Sequence, residues 1–238
     1  MLNHATYWVE IAAAVADVLL LGRFLLLRLQ RKYLFIAIVC VLSVFFDVVT
    51  FWLGIQSAES GRVSLYSRFL YVVVYPAAAW EVFEEIHSRV GQLRKAAISR
   101  LVSSLIMAAL FGVLFVTFAD IGESGGSQGA TAILAIVLWT GSSVASLAFL
   151  WTMHRAVRSQ KIELPNNTFV WLVFFELLLA VEVVMCIYAI AGPLFNQATE
   201  NIADIVFNTY GIVITLWCVW KLRPLTSDLP SASANASL

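Results

Sequence analysis

Hydrophobic residues dominate seven long stretches of the chain, and polar residues are concentrated in the short segments between them. Each stretch is longer than the about 20 residues that a helix needs to cross a bilayer. None alternates between polar and apolar positions as a membrane barrel strand does. Because a helix satisfies its own backbone hydrogen bonds in lipid, we predict seven transmembrane helices. They are expected near residues 6–28, 33–55, 64–86, 98–120, 130–153, 167–191 and 200–222.

The connections between these stretches are short, and little of the chain remains for a second folded unit. Residues 1–223 are therefore predicted to form a single heptahelical membrane domain. Residues 224–238 are rich in Ser, Ala and Pro, and we expect them to form a disordered cytoplasmic tail. The predicted fold class is an all-α integral membrane protein, a bundle of seven transmembrane helices.

The composition supports a membrane protein and excludes some partners. Hydrophobic residues make up 61% of the chain and charged residues only 13%, against about 25% charged in a typical soluble domain. The 15 basic residues are balanced by 15 acidic ones, so no basic excess is available for nucleic-acid binding. The expected partner is therefore the lipid bilayer, and nucleic acid is not expected.

The basic residues predict the orientation in the membrane. Twelve lysines and arginines fall on one predicted side, and Arg62 alone falls on the other. Basic loops stay in the cytoplasm, so we expect the N-terminus outside and the C-terminus in the cytoplasm. No targeting or processing segment is evident, which favours a plasma membrane, in particular a bacterial inner membrane. The twelve are Arg28, Arg31, Lys32, Arg89, Arg94, Lys95, Arg100, Arg155, Arg158, Lys161, Lys221 and Arg223.

Tryptophans are expected to occupy two environments. Trp80 and Trp139 lie well inside their predicted spans, so we expect them to pack between helices. The other six lie near span ends, where interfacial anchors are typical. These six are Trp8, Trp52, Trp151, Trp171, Trp217 and Trp220.

Polar residues within the spans predict a site. Ionisable side chains at membrane depth are costly unless paired or hydrated. Polar or small residues recur at three- and four-residue steps in several spans, which places them on one inward face of each helix. Acids outnumber the inward arginine, so some acids are expected to be protonated, hydrated or neutralised by a bound cation. A ligand or ion cavity in the outer half and purely structural pairing are equally weighted alternatives. The candidate cavity residues are Asp17, Asp47, Arg68, Tyr71, Tyr75, Glu182, Asp204 and Asn208.

One ion pair is expected near the outer boundary. Arg68 and Asp204 each lie about one helical turn inside that boundary, on the third and seventh spans. We expect the guanidinium of Arg68 to hold the Asp204 carboxylate, with Asp47 and Glu182 as competing partners.

A proline inside the third span is a candidate hinge. Pro76 has no N–H group, so the carbonyl of Val72 is left without its helical partner. Ser142 and Ser146 lie on a face of small residues in the fifth span, which we interpret as a packing surface.

Motifs for catalysis and metal binding are absent from the sequence. The three histidines are scattered, without the spacing of a zinc site. The three cysteines lie in apolar segments and are expected to be reduced packing residues. No nucleophile–base motif or phosphate-binding glycine loop is evident. We therefore predict no catalytic residues and no metal site.

In length, helix number and orientation the chain resembles microbial rhodopsins. That resemblance implies a retinal-bearing lysine in the seventh span, four residues after an aspartate. In this chain Asn208 follows Asp204 at that spacing, and Lys221 lies at the cytoplasmic end of the span. Covalently bound retinal of the usual kind is therefore not expected, and no cofactor is predicted. Sugar transporters of the 3+1+3 type are also similar in span number, but their Pro-Gln signature is missing here.

Three function classes remain open. The first is a small receptor or sensor with an outward cavity, acting through a separate cytoplasmic effector. The second is a proton- or cation-linked transporter of a small solute. The third is a non-catalytic subunit that packs against other membrane proteins. A membrane enzyme ranks last, and the sequence does not identify the ligand, solute or cation.

Overall fold

The computed structural model describes residues 2–54, 57–87, 127–191 and 197–225, and a few positions between 98 and 110. The predicted fourth span and nearly all of the C-terminal tail lie outside these residues. Within the described residues the chain is helical and contains no strand. The helices are α1 (Leu2–Leu26), a 3-10 turn (Leu29–Arg31), α2 (Leu34–Leu53), α3 (Ala58–His87), α4 (Ser127–Ser159), α5 (Asn166–Ala191) and α6 (Gln197–Lys221).

Four of the helices contain apolar segments long enough to cross a membrane. These segments belong to α2, α4, α5 and α6, and they are Leu34–Leu53, Leu134–Ser159, Asn166–Tyr188 and Ile202–Lys221. Helices α1 and α3 fall at the predicted first and third spans but carry more ionisable side chains, such as Asp17 and Arg68. The described part of the chain is therefore all-helical, with four candidate membrane spans.

The described helices pack in chain order around a closed ring. Helix α1 contacts α2, α2 contacts α3, α3 contacts α4, α4 contacts α5, α5 contacts α6, and α6 returns to α1. Helix α3 also reaches across the ring to α5, whereas α3 and α6 are not packed on each other along the bundle. Two ends result, which we call the closed end and the cavity end. The closed end is where α1, α3, α4 and α6 finish and where α2 and α5 begin.

Large side chains are buried mainly in the half of the bundle at the closed end. Trp171 is fully buried there, and its ring packs edge-on against Phe24 and Phe174. These side chains therefore form the packed core of that half. The largest fully buried side chains are Phe24, Leu29, Tyr33, Ile36, Phe83, Ile86, Leu150, Met153, Trp171, Leu172, Phe175 and Leu179.

Glu81 of α3 caps the first turn of α2. The Leu34 amide donates to Glu81 Oε1 at 2.5 Å, and the Ile36 amide donates to Glu81 Oε2 at 3.0 Å. Tyr33 at the N-cap position makes no side-chain capping bond of its own. The first amides of a helix lack intrahelical partners and favour a negative charge, so Glu81 fastens α2 to α3.

The end of α6 is fastened to the start of α5 by a buried asparagine. Asn167 Nδ2 donates to the Arg223 carbonyl at 2.8 Å, and the Arg223 amide donates to Asn167 Oδ1 at 2.9 Å. Asn166 Nδ2 donates to the Lys221 carbonyl at 2.9 Å. From α1, Arg23 donates to the Leu222 carbonyl at 3.1 Å. The last carbonyls of α6, which a helix cannot satisfy itself, thus gain partners from α1 and α5.

Two ion pairs also lie at the closed end. Lys32 Nζ is 2.6 Å from Glu85 Oε1, and His154 Nδ1 is 2.7 Å from Glu176 Oε2. Together with the Glu81 cap, these contacts join α2 to α3 and α4 to α5. The closed end is therefore held by polar bonds as well as by packing.

The outer surface of the bundle is strongly apolar, as expected where lipid is the solvent. Trp52 and Trp220 are 85% and 73% exposed, which agrees with the interfacial anchors predicted for them. Trp171 differs from that prediction, because it is fully buried in the core. A tryptophan near a span end looks the same in the sequence whether it faces lipid or neighbouring helices. Only the packing of the helices distinguishes an interfacial anchor from a core residue.

Candidate ligand-binding cavity

A cavity of about 270 Å³ occupies the middle of the bundle, beside the tightly packed half. Helices α1, α2, α3, α5 and α6 contribute its walls. Its polar side chains come from the inward stripes that the sequence predicts on these helices. Six predicted cavity residues line it: Asp17, Asp47, Tyr71, Tyr75, Glu182 and Asn208.

A smaller pocket of about 110 Å³ adjoins the cavity on the side of the cavity end. We call it the vestibule. It is lined by Glu10, Ala13, Asp47, Thr50, Phe51 and Asn208. Ala13, Asp47 and Asn208 line both spaces. The two spaces therefore lie on either side of the same three residues, and the vestibule is the one nearer the cavity end.

Two tyrosines of α3 connect opposite walls of the cavity. The rings of Tyr71 and Tyr75 are stacked, with centroids 4.9 Å apart. Tyr75 donates its hydroxyl hydrogen to Glu182 Oε1 at 3.2 Å. The Tyr71 hydroxyl and Ser43 Oγ of α2 are 3.5 Å apart. Because α3 carries both rings, the α2 wall and the α5 wall are coupled through one helix.

Arg68 lies next to this network but does not line the cavity. Its guanidinium carbon lies 4.8 Å from the centre of the Trp139 ring of α4, an arrangement that stabilises a cation. It is also close enough to Glu182 of α5 to interact with that carboxylate electrostatically. One of the two competing partners predicted for Arg68 is therefore its neighbour.

The predicted pairing of Arg68 with Asp204 stays a prediction, although the packing of the helices does not favour it. Helix α3 faces α2, α4 and α5, whereas α6 faces α1 and α5, so the two helices are not adjacent. Asp204 is exposed and lies near Glu10 of α1. The face of α6 that is internal at Asn208 is open at Asp204, because a four-residue step moves about 6 Å toward the cavity end.

The charges around the cavity are unbalanced. Three carboxylates line it, from Asp17, Asp47 and Glu182, and no lysine, arginine or histidine does. Glu182 Oε2 and Asp47 Oδ2 are buried without a hydrogen-bond partner among the described residues. Buried oxygens of this kind are expensive unless a donor reaches them. The cavity thus offers acceptors to a guest that supplies donors or positive charge.

The apolar part of the lining was not predicted. Phe174, Leu178, Val181 and Met185 of α5 and Phe207 of α6 complete the walls. Selecting inward polar residues finds the acceptors but cannot find these side chains, because an apolar residue that faces a cavity resembles one that faces the core. The only sequence feature that could have indicated them is a continuous apolar stripe beside the polar stripe of α5.

Pro76 is buried in α3, and the helix continues through it from Ala58 to His87. The carbonyl of Val72, which loses its helical partner to the proline, accepts a hydrogen bond of 2.7 Å from Ser142 Oγ. Ser142 is almost completely buried on α4. It therefore does more than provide the small packing surface that the sequence predicts. The hinge role of Pro76 stays a prediction.

This bond makes the effect of Ser142 conditional on Pro76. We expect Ser142→Ala to lower the free energy of unfolding by about 1–2 kcal/mol, because the Val72 carbonyl stays buried without a donor. In a Pro76→Ala background a backbone N–H replaces the serine, so Ser142→Ala should then cost less. Chemical unfolding in micelles measures both values.

Ser143 provides the matched control for this cycle. Its hydroxyl is buried one residue away and has no hydrogen-bond partner in the described part of the chain. Ser143→Ala should therefore leave the free energy of unfolding nearly unchanged. Equal costs for Ser142→Ala with and without Pro76 would contradict the proposed role of the Val72 carbonyl.

No protein-family model, curated protein or solved structure matches the chain. In the described ranges no three histidine, cysteine, aspartate or glutamate side chains converge to form a metal site. The functional argument therefore depends on the cavity and its surroundings.

Proposed function

We propose that the chain is a membrane receptor or sensor that binds a small solute in this cavity from outside the cell. In this proposal the seven predicted spans are all present, the cavity end faces outward and the closed end faces the cytoplasm. A separate cytoplasmic effector binds the protein and responds to whether the cavity holds a ligand. The bilayer is the plasma membrane, as the sequence predicts.

One observation carries the proposal: the polar cavity has a tightly packed half of the bundle on one side and the vestibule on the other. The vestibule joins it on the side of Glu10 and Thr50. On the opposite side lie the fully buried Trp171, Phe24 and Tyr33. A site with access from one side suits a receptor, because the ligand binds and leaves by the same route.

The distribution of basic residues supports the proposed orientation. Among the described residues, the lysines and arginines of the loops at the closed end include Arg31, Arg158 and Lys161. At the cavity end, Arg62 near the start of α3 lies beside Glu59. By the positive-inside rule the closed end belongs in the cytoplasm.

Helix α3 is the proposed element that carries the signal. A ligand that moves Tyr71 or Tyr75 acts on the same helix that holds Glu81 and Glu85 at the closed end. Movement of α3 would therefore change the cap of α2 and the ion pair with Lys32. A cytoplasmic partner bound near these groups would detect the change.

Thiol labelling in intact cells tests the orientation and the access route. The three native cysteines, Cys40, Cys186 and Cys218, are buried and are first replaced by alanine. We expect a membrane-impermeant maleimide added outside to label Thr50→Cys in the vestibule. Ser159→Cys, exposed at the closed end, should react only after the cells are permeabilised.

The reverse pattern would overturn the proposal. If Ser159→Cys reacts in intact cells and Thr50→Cys does not, the cavity opens toward the cytoplasm. An outward-facing receptor would then be excluded.

A proton- or cation-linked transporter is the second candidate. The excess of carboxylates in the cavity favours it, because such carriers bind a cation together with their solute. A carrier must also open the closed end, which requires breaking the Glu81 cap or the contacts of Asn167. Uptake of a solute into proteoliposomes under an imposed cation gradient, with loss of uptake in Asp47→Asn, would favour the transporter over the receptor.

A further inference from the structure

The carboxylates of the cavity differ in whether a basic side chain lies near them. Glu182 has the hydroxyl of Tyr75 and the guanidinium of Arg68 beside it. Asp17 of α1 and Asp47 of α2 lie close enough to repel each other, and no basic side chain joins them in the lining. Positive charge is therefore missing at Asp17 and Asp47 and not at Glu182.

The same part of the cavity holds an acceptor that no described side chain satisfies, although Asn208 also lines both spaces. Asp47 Oδ2 is buried without a partner among the described residues, and Asp47 lines both the cavity and the vestibule. The nearest wall offers the Tyr71 ring, whose own hydroxyl lies beside Ser43. A ligand with N–H donors would form a hydrogen bond to Asp47 Oδ2, whereas a ligand without donors would leave this oxygen without a partner.

The remaining walls are aromatic and aliphatic. Tyr71, Phe174 and Phe207 expose ring surface to the cavity, and Leu178 and Val181 supply aliphatic surface. Rings attract the positive charge of an ammonium group and aliphatic side chains pack on a carbon chain. A cavity of about 270 Å³ is slightly smaller than the sites of drug-sized ligands, which begin near 300 Å³.

We propose that the cavity binds a small protonated organic amine, with its ammonium group between Asp17 and Asp47 and its carbon skeleton against Tyr71, Phe174 and Phe207. This inference deepens the proposed function and rests on it in taking the cavity as the ligand site. The route through the vestibule passes Glu10, a further carboxylate that attracts a cation toward the site.

The probe for the test is n-butylammonium chloride, which replaces sodium chloride at constant ionic strength. The full-length protein is studied in nanodiscs, and the midpoint of thermal unfolding is followed by tryptophan fluorescence. We expect the midpoint to rise in a saturable manner, because a ligand that binds only the folded state stabilises it. The neutral analogue n-butanol should give no rise, and tetramethylammonium, which lacks N–H donors, should give a smaller one.

Substitutions locate the ammonium group. Asp17→Asn and Asp47→Asn keep the shape of the side chains, and each is expected to weaken n-butylammonium binding about tenfold or more. Neither should lower the midpoint of the unliganded protein, because each removes a repelling charge. Glu59→Gln, on the exposed start of α3, is the matched control and should leave binding unchanged.

Several results would overturn the amine assignment. An equal rise with n-butanol would indicate an apolar ligand, and no change when sodium is replaced would indicate an inorganic cation or no cation. Binding that survives both aspartate substitutions would place the ammonium elsewhere. If either variant fails to fold, the other variant still tests where the ammonium group binds. The comparison of the three probes on the unaltered chain still tests whether the ligand is an amine.

The labelling experiment separates the two proposals. If Thr50→Cys is labelled from outside and n-butylammonium has no effect, the receptor proposal stands and the amine is excluded. If labelling occurs only from the cytoplasm while the amine binds through Asp17 and Asp47, the outward receptor is excluded and the amine site remains.

Discussion

Replacing Arg68 by alanine is expected to destabilise the protein by about 3 kcal/mol, because it removes a cation that stabilises the Trp139 ring and attracts the Glu182 carboxylate without touching it. The guanidinium lies 4.8 Å from the centre of the Trp139 ring, and that contact is lost. Unfolding of the protein in mixed micelles measures the destabilisation.

A double-mutant cycle identifies the partner. We expect Arg68→Ala combined with Glu182→Gln to cost less than the sum of the two single substitutions, because the neutral glutamine no longer needs a cation. Arg68→Ala combined with Asp204→Asn should be additive, since α3 and α6 are not adjacent. Arg62→Ala, exposed on the same helix as Arg68, is the control and should change the free energy of unfolding little.

The opposite couplings would contradict the arrangement. If the effects at Arg68 and Glu182 are strictly additive and those at Arg68 and Asp204 are coupled, then Arg68 interacts with Asp204, as the sequence predicts.

Replacing Asn167 by alanine should have the second largest effect, a loss of about 2–3 kcal/mol. Asn167 is fully buried, and its amide both donates to and accepts from the backbone of Arg223. Alanine removes both bonds and leaves a small cavity where α5 meets the end of α6. Thermal unfolding of the purified protein measures the loss.

Two other substitutions should destabilise the protein less than Asn167→Ala. Asn166→Ala removes one short bond, to the Lys221 carbonyl, and a long one of 3.5 Å to Asn167 Oδ1, and it should cost about half as much. Thr209→Ala removes an exposed hydroxyl that bonds only within its own helix, to the Ile205 carbonyl, and should be nearly neutral. Equal losses for Asn167→Ala and Thr209→Ala would show that the contact between α5 and α6 contributes nothing specific.

The sequence predicts the helices well because each span must satisfy its own backbone in lipid. The described helices lie at six of the seven predicted segments, with longer ends in α3 and α4, and the fourth segment lies outside the described residues. The same periodicity finds most of the cavity, since an inward polar stripe such as Asn208, Gly211 and Thr215 has a composition unlike a lipid-facing one. These features depend on one helix at a time.

Features that depend on two helices were not predictable. Asp204 lies on the stripe of Asn208 but is exposed, because the neighbouring helices no longer cover that face near the cavity end. Trp171 and Trp151 both lie near span ends, yet Trp171 is fully buried and Trp151 is 58% exposed. The bond from Ser142 to the Val72 carbonyl needs α4 beside α3 in one register. A single sequence does not contain that information.

The cap that Glu81 provides has a consequence for biogenesis. Ribosomes deliver the chain from its N-terminus, so α2 enters the membrane before its cap exists. Glu81 lies 47 residues after Leu34 and 45 residues after Ile36, whose amides both donate to it. Until α3 arrives, the first turn of α2 must keep its amides in the water-rich headgroup region, where they can be hydrated. If α3 also spans the membrane, as the sequence predicts, we expect α2 to reach its final depth only when α3 follows it out of the translocation machinery.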